Sequence, residues 1–456
     1  MKKMQRRAII CMAFSLLLLL GLGVYVYKYI NEGTMWVSYP ANKHIFNKGR
    51  IASGTIVDRN GEILIKNSSG NPTQYNQNKA IRTAMVHTTG DAHANISTGA
   101  NVAFSNKLVG YNIITGLYSA SGEGSKITMT VDANLSNVAA QALGNRNGTV
   151  GVYNYKTGEI LCMVSTPSYD PYNPPSYKEA APGTFINKLI SGRFTPGSTF
   201  KTVTAGAALQ NLGNIKDWYY TCHASDKYGT YEKDRVTCYA NTAHGSVNLK
   251  RALQTSCNCY FGRLSNKVGS SNMKKYVDAI GLTSSYNIDG IKTKSSKLIF
   301  DDNDLKLAWA GIGQGEDEVN PASMMMYMGT IANDGVQVSP KLIKDISSSS
   351  LLSKYNYETT SNEVIDKSIA TDLKAMLRNN VQSSYGQGNY PGLKLCAKTG
   401  TAEVGKSKQP HAWMVGFLDD PENPYAFVVL VENGGVASSV AGNLVNTVMQ
   451  AAVGKR

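Results

Sequence analysis

Three short strings along this 456-residue chain carry residue types that together perform acyl transfer: Ser198-Thr199-Phe200-Lys201, Ser256-Cys257-Asn258 and Lys398-Thr399-Gly400-Thr401. They supply a serine hydroxyl as nucleophile and a lysine amine as its base. They add a second hydroxyl and an amide to relay and position, and a cation on an extended strand. Such an inventory opens a peptide-like carbonyl through an acyl-serine intermediate. Pro196-Gly197 breaks the chain just before Ser198, and Thr199–Leu209 is a good helical stretch, so Ser198 is expected at a helix N-terminus. Free N–H groups and the positive dipole end favour developing negative charge there. Lys201 follows three residues on, one turn away on the same face. A lysine at its ordinary pKa is protonated and useless as a base. Desolvation and a neighbouring cation, such as Lys398, would lower that pKa enough for it to accept the serine proton.

Each string has a competitor. Ser271-Asn272-Met273-Lys274 repeats the Ser-x-x-Lys spacing without a chain break before the serine, and reads as solvated surface. Lys156-Thr157-Gly158 reads as a hairpin turn, whereas Lys398-Thr399-Gly400-Thr401 continues a strand from Leu393. Small Ala397 and Gly400 would let a substrate backbone lie close to that strand. Its edge can pair with an extended peptide while Lys398 and Thr401 hold a carboxylate. Ser246-Val247-Asn248 falls in a probable turn, whereas Ser256-Cys257-Asn258 lies in a helical run beside Phe261. What makes the set specific is its order and spacing, 58 residues from Ser198 to Ser256 and 142 from Ser256 to Lys398. Residues 400–407, Gly-Thr-Ala-Glu-Val-Gly-Lys-Ser, match a phosphate loop formally. That loop must open a helix at its Lys-Ser end, and here Pro410 and the alternating Trp413, Val415 and Phe417 announce a strand. Gly311-Ile312-Gly313-Gln314-Gly315 fails the dinucleotide pattern, because no strand precedes it and the third glycine is misplaced.

The elements that must position these groups come in runs. Thr55–Val57 and Ile63–Ile65 flank Asp58-Arg59-Asn60-Gly61 as a hairpin, in a segment of about 31–147 that reads as a smaller β-rich module. Ile127–Val131 is a strand candidate, and Leu135, Val138, Ala139, Ala142 and Leu143 recur at helical spacing. Val150–Tyr155 and Glu159–Val164 form a second hairpin opening a large domain, 148–456. Val247–Val268 and the stretch after Ser368 are helical, Lys394–Ala402, His411–Leu418 and Tyr425–Glu432 read as strands, and Asn443–Ala452 as a helix. Strands in runs beside helices in runs make an antiparallel sheet with helices, the α+β class.

A hydrophobic content of 42% with 17% charged residues describes a globular chain, with low complexity only at Ser348–Ser350. Residues 1–30 read as a short cytoplasmic tip and a membrane anchor. Lys2, Lys3, Arg6 and Arg7 precede an uncharged stretch from Ala8 to Tyr27, and Tyr25, Tyr27, Tyr29 and Trp36 supply an interfacial belt. The basic flank stays inside, placing the rest outside the cytoplasm. A cleaved signal peptide is the rival reading, but no Ala-x-Ala-like site follows. Net charge is +14, of which the anchor segment holds Lys2, Lys3, Arg6, Arg7 and Lys28, leaving +9 for the exported part. That suits an anionic membrane or cell wall; export and the lack of dense Lys/Arg runs argue against nucleic acid. Seven scattered cysteines do not make a disulfide scaffold. Cys222 and Cys238, in a polar turn-rich stretch, stay open between free thiols, a bridge, and a zinc site with His223 and His244. No metal and no cofactor are assigned to the reaction.

Taken together these strings resemble the penicillin-binding protein transpeptidases, specifically the class B, monofunctional group. Phe194-Thr195-Pro196-Gly197 before Ser198, Gly313-Gln314-Gly315-Glu316, residues 411–417 (His-Ala-Trp-Met-Val-Gly-Phe) and the Asp58–Gly61 hairpin add to the likeness, while Thr195 and Lys188 depart from it. The resemblance implies a penicillin-binding/serine β-lactamase-like fold on a pedestal module and a D,D-transpeptidase acting on peptidoglycan stem peptides. It implies that Ser198 attacks the penultimate D-alanine carbonyl, Lys201 is the base, and Ser256 relays the proton to the leaving D-alanine. Asn258 would hold Lys201 and the substrate amide, and Lys398, Thr399, Gly400 and Thr401 would form the carboxylate-binding strand. Backbone N–H groups of Ser198 and Thr401 would make the oxyanion hole. β-Lactams should acylate Ser198, and a membrane glycosyltransferase of the shape, elongation, division and sporulation class is the implied partner. The competing readings are a D,D-carboxypeptidase or β-lactamase-type hydrolase, and a non-catalytic β-lactam sensor or scaffold.

Overall fold

The computed structural model describes residues 2–37, 46–47, 50–51, 53–68, 71–110, 124–347, 359–405 and 408–454. Ser348–Ser350, Lys406-Ser407 of the phosphate-loop match, and the Trp36 side chain lie outside the described residues. Helix α1 (Lys2–Val37) contains the apolar segment Lys3–Tyr29, which is long enough to cross a bilayer core of roughly 30 Å and buries none of its surface in the rest of the protein.

A small mixed sheet follows. Gly54–Val57 (β1) turns through Asp58–Gly61 into Ile63–Asn67 (β2), as the turn residues predict. Buried Asp58 accepts the N–H groups of Asn60 and Glu62 at 2.8 and 2.9 Å, and Gly61 takes a φ of +91° that a side chain resists. Gln74–Tyr75 (β3) extends one edge, and Lys126–Met129 (β4) pairs parallel with β1. The last strand, Ile343–Ser347, comes from more than two hundred residues downstream and lies antiparallel on β4.

The central sheet contains Gly148–Asn154 (β5), Ile160–Thr166 (β6), Leu395–Ala402 (β7), His411–Leu418 (β8) and Tyr425–Val431 (β9), in the order β7-β8-β9-β5-β6, all antiparallel. Lys156-Thr157-Gly158 is indeed the β5–β6 turn, with the Asn154 side chain accepting two of its N–H groups and Gly158 at φ +78°. The strands are apolar on both faces, the pattern of a sheet covered on both sides. Along β8 the even residues Ala412, Met414 and Leu418 pack with Leu135, Leu143, Leu444 and Val448, while Trp413, Val415 and Phe417 pack with Met324 to Met328. Helices α2 (Ala133–Leu143) and α6 (Ala437–Ala452) therefore cover one face. The other is covered by α5 (Pro321–Ala332), capped by the Asn320 side chain and buried at every position, with α3 (Lys201–Asn211) and α4 (Asn258–Val268) beyond it. Met326 is 1% exposed, and truncation to alanine there would cost about 2–5 kcal/mol.

The helical run read across Val247–Val268 is in fact two helices, Leu249–Gln254 and α4, broken at Ser256, whose φ is +55°. That break is where the second of the three strings lies.

Candidate active site

Ser198 sits in a single 3₁₀ turn, Gly197–Phe200, that runs directly into α3. Gly197 makes the turn possible: it has φ +55°, and a Cβ there would lie 2.8 Å from the Thr401 carbonyl oxygen. Its N–H donates to the Gly313 carbonyl at 2.8 Å, and Gly313 is equally constrained, since its Cβ would lie 2.2 Å from the Gly197 oxygen. Thr199 Oγ1 donates to the Pro196 carbonyl at 2.8 Å, and Trp413 Nε1 to that of Thr195 at 3.0 Å. The Ser198 turn is thus pinned on three sides.

Around it an unbroken line of contacts runs from Ser198 Oγ to Lys201 Nζ at 3.1 Å, on to Ser256 Oγ at 3.2 Å, and on to Lys398 Nζ at 3.1 Å. Lys201 Nζ also meets the Ser256 carbonyl at 2.7 Å and Asn258 Oδ1 at 2.5 Å. A neutral amine has two N–H donors and one lone pair. Donating to the two carbonyl-type oxygens leaves the lone pair for the Ser198 hydroxyl proton. The left-handed backbone of Ser256 is what turns its carbonyl and its hydroxyl toward the same amine. A non-glycine residue in that region costs of order 1 kcal/mol.

Electrostatics match this assignment. Lys201 is fully buried, and desolvation followed by the charge of Lys398 lowers its pKa to about 7. Lys398, 1% exposed, is lowered to about 7 by burial alone. Two buried cations sharing one hydroxyl repel each other, and the Lys398 charge adds to burial in lowering Lys201, whose amine faces the Ser198 hydroxyl.

The eight residues expected at the site are not all brought to one point. Ser198, Lys201, Ser256, Asn258 and Lys398 form the line just described. Gly400 shares the Lys398 face of β7, but the space freed by its missing side chain is taken by Pro196 and Thr199, each about 2.8 Å from an added Cβ, and not by open cleft. Its smallness seats the Pro196–Thr199 turn against the strand. Thr399 points away from the lysines: its N–H and hydroxyl both donate to Tyr385 Oη, at 3.1 and 3.2 Å. Strand alternation sends the Thr401 N–H to the same side of β7 as that of Thr399, along the edge not paired with β8. Thr401 is half-buried beside Gly197.

Tyr385, Thr237 and Gly313 were not foreseen as parts of the site. Tyr385 braces β7, and the Thr237 carbonyl accepts Asn258 Nδ2 at 2.7 Å, fixing which way that amide faces. Nothing in their local sequence announces either contact, since both partners come from distant chain. The competing strings remain outside: Lys274 is 71% exposed and pairs with Asp278 on its own helix, and Ser246 is exposed in a three-residue strand. Of the two histidines considered with Cys222 and Cys238, His244 approaches Cys222 while His223 is exposed.

Comparison with known proteins places the fold and the family. The family described as the penicillin binding protein transpeptidase domain matches residues 148–450. The peptidoglycan D,D-transpeptidase PbpA of Mycolicibacterium smegmatis is 28% identical over 347 residues, 70% of each chain. PbpA of Mycobacterium tuberculosis is 28% identical over 66% of this chain and 64% of its own, so this chain spans about two thirds of the length of these relatives. In structure, the imipenem acyl-enzyme complex of penicillin-binding protein A from M. tuberculosis superposes with a TM-score of 0.78 at 23% identity, covering 88% of this chain and 98% of that one. The shared fold, the matched domain and the named relatives lead to one statement: this chain belongs to the penicillin-binding protein transpeptidase family, in its class B group.

Proposed function

We propose that the protein is a peptidoglycan D,D-transpeptidase that crosslinks stem peptides through an acyl-serine intermediate and is acylated by β-lactams. The observation that carries this reading is the line Ser198–Lys201–Ser256–Lys398, in which every link is 3.1 or 3.2 Å. Lys201 takes the Ser198 proton as Oγ bonds to the penultimate D-alanine carbonyl carbon. The tetrahedral oxyanion is received by the N–H groups of Ser198 and Thr401, each donor worth about 3–4 kcal/mol. Ser256 passes the proton from Lys201 to the departing D-alanine nitrogen as the C–N bond breaks. Lys398 and the edge of β7 hold the terminal carboxylate, which restores to Lys398 the cationic form that burial disfavours. An acceptor amine from a second strand then attacks the ester carbonyl, forms the crosslink and returns the proton to Ser198. An intact base and relay speak against a non-catalytic sensor.

The basic residues before the apolar helix support a cytoplasmic N-terminus and an extracytoplasmic catalytic domain at the membrane. Residues 31–147 serve as a pedestal for the 148–456 domain, and a membrane glycosyltransferase supplies the glycan strands. The test is labelling of the full chain with a fluorescent penicillin followed by peptide mapping. A stable adduct on Ser198 is expected; no adduct, or one released within seconds, overturns the transpeptidase reading in favour of a hydrolase or an inert domain.

A further inference from the structure

The edge of β7 that faces away from β8 is closed step by step along the strand. The Leu395 carbonyl accepts Arg378 Nη1 at 3.0 Å, and the Ala397 carbonyl accepts Asn380 Nδ2 at 3.1 Å. The Thr399 N–H donates to Tyr385 Oη at 3.1 Å, and the Thr399 carbonyl accepts Lys398 Nζ at 2.9 Å. Thr401 follows, and no described side chain hydrogen-bonds to its N–H or carbonyl. Strand alternation puts the polar backbone groups of these odd-numbered residues on one edge. An incoming extended peptide therefore finds one open residue, Thr401, beside a filled one.

Tyr385 is mounted where the open edge stops. It ends a single π-helical turn, Val381–Tyr385, that follows the helix Lys367–Asn380, and Gly386 redirects the chain at φ +80°. Such turns occur frequently at functional sites. Ser384 Oγ donates to the carbonyl of Gln254, two residues before Ser256, at 3.4 Å. Tyr385 Oη receives both the N–H and the hydroxyl of Thr399. One turn is thus tied to both walls of the cleft, close to the 3.1 Å contact of Lys398 Nζ with Ser256 Oγ. The Tyr385 ring packs against the core cluster that contains Leu395 and Met414, which fixes its place.

We propose that Tyr385 is a specificity-determining residue that ends the donor site one residue beyond the scissile bond, excluding donors continued through their terminal carboxyl group. The proposal rests on the transpeptidase reading, in which the scissile carbonyl meets Ser198 and Thr401 and the terminal carboxylate meets Lys398. A donor lying along β7 runs from Thr401 toward Thr399 and advances about 3.4 Å per residue. Its carboxylate then lies level with Lys398 and Thr399. A further residue would have to pair where Tyr385 Oη already holds the Thr399 N–H, and next where Asn380 holds the Ala397 carbonyl. Admitting it breaks those hydrogen bonds and displaces a packed ring, a repulsive element of the kind that rejects a wrong substrate. The Thr399 hydroxyl is spent on Tyr385, which leaves the carboxylate to Lys398 and Thr401.

The test uses the full chain in detergent, an excess of a D-amino acid as acceptor, and synthetic donors with a common acyl part. These end in D-Ala-D-Ala, in D-Ala-D-Ala-Gly, or in the carboxamide of D-Ala-D-Ala. Cleavage of the D-Ala–D-Ala bond releases D-alanine, D-alanyl-glycine or D-alaninamide, and mass spectrometry of these products gives kcat/KM for each donor. The wild type should prefer the free end over the Gly-extended donor by at least about a hundredfold. Tyr385→Ala and the milder Tyr385→Leu should narrow that ratio at least about tenfold by accepting the extended donor. Tyr385→Phe keeps the ring and should hold the ratio. None of the three should improve the carboxamide, which fits inside the wall and lacks only the charge that Lys398 meets. A wild-type ratio under about tenfold overturns the proposal. So does a ratio unchanged in both shortened variants, a ratio lost in Tyr385→Phe, or an equal gain for the carboxamide. A penicillin adduct on wild-type Ser198 with unselective peptide cleavage defeats this proposal alone; absence of that adduct defeats the transpeptidase reading and the proposal with it.

Discussion

Ser198–Lys201 and Ser271–Lys274 have the same spacing and both lie at the start of a helix, yet only one is equipped for chemistry. Lys274 lies 71% exposed with Asp278 at 3.2 Å, so water and a carboxylate both stabilise its charge. Lys201 has no exposed surface, no carboxylate among its contacts with the described residues, and a second buried lysine beyond Ser256. The four-residue pattern sets the separation of hydroxyl and amine. Burial and partners decide whether the amine can be a base.

Substitutions sharpen this contrast. Ser198→Ala should abolish β-lactam adducts altogether in gel labelling, whereas Ser271→Ala should leave the labelling rate within about twofold, as expected for a surface change. Lys201→Ala should lower the second-order acylation rate about 10²–10⁴-fold, the range of a lost general base, and Lys274→Ala should not change it measurably. In stopped-flow acylation by penicillin the rate should rise about tenfold per pH unit up to near pH 7 and flatten above, because the Lys201 pKa is lowered to about 7 and only its unprotonated form accepts the proton. A rate flat from pH 5 to 8 would remove Lys201 as the base. Gly400→Ala forces a methyl to about 2.8 Å from Pro196 and Thr199, and should cost about 1–3 kcal/mol in denaturant unfolding together with slower acylation. Tyr385→Phe, which removes the acceptor for the Thr399 N–H and hydroxyl but keeps the ring, should cost about 0.5–1.5 kcal/mol of stability and slow acylation only a few-fold.

The same lysine desolvation leaves a stability signature. Lys201 and Lys398 bind protons more weakly folded than unfolded, so between about pH 7 and the ordinary lysine range the unfolded chain holds the extra protons. Stability contributed by these two groups therefore rises with pH across that window.

What could be read from the chain divides along physical lines. The five central strands, the Asp58–Gly61 hairpin and the helices at 133–143, 201–211 and 437–452 follow from apolar periodicity and turn residues, which are local. The three strings were legible because each packs its roles into three or four consecutive residues. Ser256 was misplaced inside a continuous helix, since its left-handed backbone is imposed by what it must reach and not by any glycine or proline. Gly400 reads in sequence as room for substrate, but its neighbour is the Pro196–Thr199 turn, a contact across just over two hundred residues.

Strand Ile343–Ser347 completes the small sheet by lying on Lys126–Met129, and the Thr130 N–H and hydroxyl extend the seam to the carbonyls of Leu342 and Ile160. A fragment begun at residue 148 would leave that strand with a raw hydrogen-bonding edge, open to pairing with another copy. Attempts to isolate the penicillin-binding domain should keep everything from residue 53 onward, or expect aggregates in place of a soluble enzyme.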